Sequence, residues 1–235
     1  MAVLVTGGAH GIGAACVRLF SEAGEKVAFL YEKSDNEATD LAHKTGALPI
    51  RADVADKATV FAAARHASAA QGAAHVLICC AGIAHSGLFQ DVTEQELRRL
   101  MEVNVLGSYF AAQAVAEEMI AAQRGAIIFV SSIWGLTGAS CEAAYSMSKG
   151  AQIALSKALA LELGPSGIRV NCVAPGVIDT RMNAHLSPED MAALANQTPL
   201  GRIGTPKEVA EAIFYLANAQ FVTGQVLSPN GGLVT

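Results

Sequence analysis

Charge is sparse in this sequence and gathers nowhere. Charged residues make up 16% of the 235 positions, the net charge is -5, and the basic residues are scattered singly. Without a basic stripe to follow a phosphate backbone, nucleic-acid binding is not expected. There is no uninterrupted apolar run long enough to span a bilayer, so no membrane span is expected either. Met1 passes almost directly into Val3-Leu4-Val5 with no basic residues before it. That start reads as a strand and not a signal peptide, and a cytoplasmic location follows. The five cysteines, an odd number that includes the adjacent pair Cys79-Cys80, fit reduced, buried thiols better than a disulfide framework. Spacings of the CxxC or His-rich kind are missing, so no metal is expected. Internal repeats and low-complexity linkers are also missing, and no break in composition argues for a second domain.

What is abundant is apolar sequence, at 52% of the chain, enough for one large and well-buried α/β domain. The order of elements is informative. Val3 to Thr6 is a β-type run that enters Gly7-Gly8-Ala9-His10-Gly11-Ile12-Gly13 and then a helical pattern to about Ala23. Strand, glycine turn and helix form the phosphate-binding opening of a dinucleotide fold. Glycines let the backbone approach a pyrophosphate, and the helix start supplies unpaired N–H groups.

Lys26 to Tyr31 reads as the second strand, whose end selects the nicotinamide cofactor. Tyr31 stands there, followed by Glu32, Lys33 and Ser34. Lys33 and Ser34, with His10 nearby, suit a 2′-phosphate and favour NADP over NAD. In the alternative, Lys33 is a solvated loop residue and Glu32 takes the ribose. Helix is expected over Asp35 to about Lys44 and Asp56 to about Ala70, with Ala47 to Ile50 extended between them. Asp53, before Val54, either contacts the adenine or caps the following turn. His75 to Cys80 is a buried strand whose exit, Ala81-Gly82, is small enough for a ribose to lie against it.

Thr93-x-x-Glu96 has capping-box spacing and opens a helical region to about Ala122. Asn104 interrupts it, and a buried asparagine either fills a backbone gap or links a lysine to a water chain. Ala126 to Val130 is the next strand and delivers Ser131-Ser132 to its end. Helix is expected over Ala143 to Leu163, strands over Ile168 to Val173 and Gln225 to Ser228, and helix over Pro206 to Asn218. The stretch from about 177 to 201, polar and helix-compatible around Pro188, is placed to cover a substrate.

Tyr145 and Lys149 stand at i and i+4 near the start of a helix, which puts a phenol and an ammonium on one face. A positive charge beside a phenol favours its phenolate, and Ser132 can donate a hydrogen bond to a carbonyl oxygen. Such a tyrosine can hand a proton to that oxygen while a cofactor delivers hydride to carbon. Trp134 and Met182 are candidates for substrate contacts.

Together these residues resemble the short-chain dehydrogenase/reductase family along essentially the whole chain. The family's T-G-x-x-x-G-x-G stands here as Thr6-Gly7-Gly8-Ala9-His10-Gly11-Ile12-Gly13, and its adenine-contacting Asp-Val as Asp53-Val54. Its catalytic Asn, Ser, Tyr and Lys match Asn104, Ser132, Tyr145 and Lys149. Pro175, Gly176, Ile178 and Thr180 match the turn that covers the nicotinamide end. Thr198-Pro-Leu-Gly-Arg-Ile-Gly and Thr223-Gly-Gln-Val-Leu-Ser-Pro-Asn-Gly-Gly look like the bacterial 3-oxoacyl-[acyl-carrier-protein] reductases. Two departures stand out. Cys79-Cys80-Ala81-Gly82 replaces the usual Asn-Asn-Ala-Gly, and Ala126 and Ser166 replace basic carrier-protein docking residues, although Arg124 and Arg169 lie close by.

The resemblance implies one Rossmann-type, doubly wound parallel sheet of about seven strands, with NADPH across the strands' C-terminal ends. It implies reduction of a ketone, such as a 3-oxoacyl thioester, to a secondary alcohol. Tyr145 would be the acid, Ser132 the carbonyl donor, Lys149 the group that lowers the tyrosine pKa and holds the ribose, and Asn104 the support of a relay water. It further implies a homotetramer and a small carbonyl or acyl-thioester substrate, with an acyl carrier protein as a conceivable partner. The alternatives are an NAD-dependent alcohol, sugar or steroid dehydrogenase and a nucleotide-sensing scaffold without turnover.

Overall fold

Seven apolar runs pair into a single parallel sheet in a computed structural model that describes residues 1–184 and 186–235. The strands are β1 (Ala2–Thr6), β2 (Lys26–Tyr31), β3 (Leu48–Arg51), β4 (Val76–Cys79), β5 (Gly125–Val130), β6 (Ile168–Val173) and β7 (Val226–Leu227). Their order across the sheet is β3-β2-β1-β4-β5-β6-β7. The helices are α1 (Gly11–Glu22), α2 (Asp35–Thr45), α3 (Lys57–Gln71), α4 (Glu94–Met101), α5 (Gly107–Ala122), the short α6 (Trp134–Thr137), α7 (Ala143–Leu163), α8 (Pro188–Gln197) and α9 (Pro206–Asn218).

Alternation along the strands divides the core. Val3, Val5, Val27, Phe29, Ile78 and Val130 pack with residues of α1, α2 and α9. Leu4, Leu30, Leu77, Ile127 and Phe129 point the other way, onto α3, α5 and α7. A sheet covered on both faces needs apolar residues at successive positions, which is why its strands read as continuous apolar runs instead of alternating ones. The chain leaves β1 toward β2 on one side, while β4 lies on the other. The C-terminal ends of β1 and β4 therefore flank a crevice at the point where the strand order reverses.

Several boundaries differ from those expected. β4 ends at Cys79, and Cys80 turns out of the strand. β7 shrinks to Val226–Leu227 at the sheet edge, and β3, at the opposite edge, tolerates Pro49 because one side of its backbone has no neighbour. The helical region after Thr93 is not continuous. The capping box is present, with Thr93 Oγ1 accepting from the Glu96 amide and Glu96 bonding back to the Thr93 amide, but Glu102–Leu106 forms a π-turn between α4 and α5. A π-turn adds one residue to the helical repeat, and here it aims Asn104 inward. The cysteines are free, yet they are not all buried: Cys16, Cys79 and Cys172 are, Cys80 is half-buried and Cys141 is exposed.

Arg169 is not free for docking. Its guanidinium donates at 2.6 Å to both the Leu216 and Ala217 carbonyls and so caps the C-terminal end of α9. Arg124 contacts the His75 ring. Between β6 and α9 the chain makes an excursion whose two ends meet in a bridge between Ile178 and Gly204. Its helix α8 opens with a second capping box, Ser187 to Asp190. Among the described residues no helix is long and apolar enough to cross a membrane.

Candidate active site

The glycine turn between β1 and α1 is built around close backbone approach. Gly7 has φ +66°, and a Cβ there would lie 2.7 Å from Ala81 Cα. A Cβ on Gly13 would lie 2.1 Å from the Gly7 carbonyl oxygen. Side chains at these positions would push the turn off β4 and α1 off the turn. His10 is the N-cap of α1 but makes no side-chain cap bond, and no acidic residue lies in the first turn. The unpaired N–H groups of that turn are left for an anion.

The turn opens onto a groove of about 600 Å³ lined by Gly7, Gly11, Gly13, Ala81, Tyr145 and Lys149, among others. Beside it lies a second cavity of about 410 Å³, lined in part by Ser132, Trp134, Glu142, Pro175 and Gly176. Ile12, Ser131, Tyr145, Thr180 and Met182 line both, so the two spaces meet at the phenol. Trp134, Met182 and Ile178 line this second cavity.

β5 delivers Ser131 and Ser132 to its C-terminal end, as the strand pattern predicts. Ser131 Oγ donates to the Lys149 carbonyl at 2.8 Å and ties the strand end to α7. Ser132 Oγ accepts from the Trp134 amide at 3.2 Å. Burial pushes the Tyr145 phenol up to about 12, and a hydrogen bond with Ser132 works against the rise. A phenol is protonated at neutral pH at its ordinary pKa, and the rise keeps it so. Lys149 lies with its Nζ 5.7 Å from the centre of the Tyr145 ring. Its hydrogen bonds go elsewhere, to the Val130 carbonyl at 2.9 Å and to Gln152 Oε1 at 3.0 Å. Burial lowers its pKa to about 8, and the Cys172, Cys80 and Cys79 thiols oppose the fall.

Asn104 is fully buried and closes the loop after β4: Oδ1 accepts from the Ile83 amide at 2.8 Å, and Nδ2 donates at 3.0 Å to the Ile83 carbonyl and to Ser148 Oγ. Its main-chain oxygen accepts from Ser108 Oγ and Gln152 Nε2, each at 2.8 Å. Both of these side chains hold that oxygen from within the buried site.

Asp53 lies outside the lining of the groove; its Oδ1 accepts from the Ala55 amide at 2.9 Å, a capping contact, while Oδ2 pairs with Arg99 at 3.2 Å. Val54 is buried against Gly107. Glu32 is held by Lys33 at 3.1 Å and Arg99 at 3.6 Å, and Tyr31 bonds to Asp35. Ser34, the N-cap of α2, makes no side-chain cap bond, and its hydroxyl meets the His10 ring instead. Arg181, from the excursion after β6, reaches the same point: Nη1 lies 3.3 Å from His10 Nδ1 and 2.9 Å from Glu37 Oε1. Sequence reasoning missed Arg181, Arg99 and Gln152. The contact of Arg181 with His10 spans 171 positions and leaves no local trace. Gln152 had a signal, because it lies on the Lys149 face of α7 as a polar residue among apolar ones.

A sequence profile described as enoyl-(acyl carrier protein) reductase matches residues 7–234. The chain belongs to the short-chain dehydrogenase/reductase family. Relatives within it include the uncharacterized oxidoreductase YmfI of Bacillus subtilis, 38% identical over 97% of each chain. The 3-oxoacyl-[acyl-carrier-protein] reductase FabG of Chlamydia muridarum is 39% identical over 99% of this chain and 96% of its own. The 3-alpha-(or 20-beta)-hydroxysteroid dehydrogenase of Mycobacterium bovis is 40% identical over 98% of this chain and 88% of its own. Among solved structures, a 3-oxoacyl-[acyl-carrier protein] reductase from Brucella melitensis superposes with a TM-score of 0.93 at 33% identity, over 100% of this chain and 91% of its own. ElxO with NADP bound does so with a TM-score of 0.92 at 30% identity, over 99% and 98%. As a member of this short-chain dehydrogenase/reductase family, the protein is an NAD(P)-dependent oxidoreductase with the chemistry of ketone and secondary alcohol.

Proposed function

We propose that the protein reduces the ketone of a small substrate, such as a 3-oxoacyl thioester, to a secondary alcohol with NADPH. The observation that carries this reading is the meeting of the groove and the cavity at a protonated phenol, Tyr145. The glycine turn, the small Ala81-Gly82 wall and the open start of α1 fit a dinucleotide, which supplies the hydride when bound. Tyr145 gives its proton to the carbonyl oxygen, and Ser132 donates a hydrogen bond to the same oxygen as charge builds there. Lys149 presents a positive charge behind the phenol and favours the phenolate that the transfer leaves. Pro175, Gly176, Ile178 and Thr180 wall the reacting end, and Asn104 holds the loop after β4.

The NADP preference is supported by the convergence of His10, Ser34 and Arg181, with Lys33 adjacent in the chain. These groups suit a 2′-phosphate, which would take the place of Glu37 on Arg181, while Glu32, the acid that a ribose hydroxyl would need, is engaged by Lys33 and Arg99. Arg181→Ala is expected to lower kcat/KM for NADPH about tenfold and leave that for NADH within about twofold, the loss of one charge-assisted contact. A drop of equal size with both cofactors would overturn the assignment. The NAD-dependent dehydrogenase reading predicts the reverse preference in the unmodified protein.

A homotetramer is implied by the family resemblance, and Leu161 on α7, Tyr215 on α9 and the fully exposed Phe221 leave apolar surface on both sides of the sheet for neighbouring copies. Light scattering on the eluted protein should give the mass of four chains, and a single-chain mass at micromolar concentration contradicts it. The substrate is free or carrier-bound. With Arg169 committed to α9, recognition of a carrier protein is not part of this proposal.

A further inference from the structure

Gln152 lies three residues after Lys149 on α7 and is fully buried. Its amide oxygen accepts from Lys149 Nζ at 3.0 Å, and its nitrogen donates to the Asn104 main-chain oxygen at 2.8 Å and to Ser108 Oγ at 2.7 Å. The orientation is forced. An ammonium has only protons to offer and a main-chain carbonyl only lone pairs, so a flipped amide would set donor against donor at one end and acceptor against acceptor at the other. The amide thus joins Lys149 to the π-turn through hydrogen bonds at both of its ends.

We propose that Gln152 is a positioning residue: pinned at its nitrogen end by Asn104 and Ser108, it fixes Lys149 Nζ and supports its charge. A carboxamide neither gains nor loses a proton near neutral pH, so it offers Lys149 the same acceptor across that range. The titratable groups facing Lys149 are Tyr145 on its own helix, Cys79 and Cys80 at the end of β4, and Cys172 on β6. Ser108 and Asn104 face the assembly from α5 and the π-turn and are neutral. Among the described residues, Gln152 and Val130 supply the ammonium with its hydrogen-bond acceptors.

The role of Lys149 beside an acid rests on the proposed function, whereas its coupling to Gln152 does not. The test is therefore an NMR titration of the lysine Nζ in the ligand-free protein, comparing Gln152→Leu and Gln152→Glu with the unmodified chain. Loss of one hydrogen-bond acceptor from a buried ammonium is expected to lower the midpoint by about one pH unit, and an added carboxylate to raise it by about one. In turnover, the alkaline limb of kcat/KM for ketone reduction should move with the midpoint. A purely structural role changes melting and leaves both midpoints within about 0.3 of the unmodified value, which would overturn the proposal. If Gln152→Leu does not fold, the isosteric Gln152→Glu decides alone. Midpoints that move in a protein that turns over no ketone leave this inference standing and remove the functional reading.

Discussion

Tyr145→Phe is expected to lower kcat for ketone reduction about 1,000-fold, within the range that a positioned general acid contributes. Of the residues that line both the groove and the cavity, Tyr145 carries the one phenol, and a phenol is protonated at neutral pH. Phenylalanine preserves the ring and its packing against Leu100 and Ala144 in the small apolar cluster at the start of α7. What it removes is the proton and the partner of Ser132. Cofactor affinity, read by fluorescence titration, should stay within about twofold, because no atom other than the hydroxyl is lost. That separation of kcat from binding identifies the tyrosine as an acid. A variant that keeps kcat within a factor of about five would show that another group protonates the oxygen.

Gly13→Ala has the second large expected effect, and it acts on binding. The new methyl would stand 2.1 Å from the Gly7 oxygen and 3.1 Å from Gly8 Cα, both backbone atoms of the turn itself. No rotamer relieves a clash with a Cβ, so the first turn of α1 must move away from the glycine turn, and the N–H groups that face the groove move with it. A displacement of about 1 Å in a binding cradle costs on the order of 100-fold, and cofactor affinity should fall by about that factor. Overpacking of backbone against backbone should cost about 1–3 kcal/mol of stability in addition. Gly24→Ala is the control. Its φ of +80° makes alanine costly, but nothing lies within 4 Å of the added Cβ. It should lower stability by about 1 kcal/mol and leave cofactor binding unchanged. Equal losses of affinity in the two variants would mean that general destabilisation, and not the turn, sets binding.

The parts of the molecule that were legible in its sequence are those that repeat a local rule. β1, β2, β5 and β6 are buried on both faces and so appear as unbroken apolar runs, and α7 was placed at Ala143–Leu163 by its period and its Gly164-Pro165 stop. Tyr145 and Lys149 were paired because one helical turn separates them. The parts that were not legible depend on contacts between distant segments. No local pattern links Arg181 to Glu37, 144 positions away, nor Arg99 to Asp53, 46 positions away. The π-turn at Glu102–Leu106 inserts a residue that the apolar period from Thr93 to Ala122 does not register. It matters because it brings the Asn104 carbonyl within reach of Gln152. The Lys149 ammonium was expected to face the phenol, and the fold gives it Val130 and Gln152 as partners. A helical face says which side chains are neighbours, and the buried acceptors around them decide where a charge is held.

Oxidation of NADPH and of NADH, followed at the nicotinamide absorbance with a panel of ketones that includes an acetoacetyl thioester, tests the central claim most directly. The account predicts turnover with at least one ketone, faster with NADPH than with NADH, and abolished in Tyr145→Phe. Binding of NADPH with no oxidation across the whole panel would contradict it and leave the fold as a nucleotide-binding scaffold.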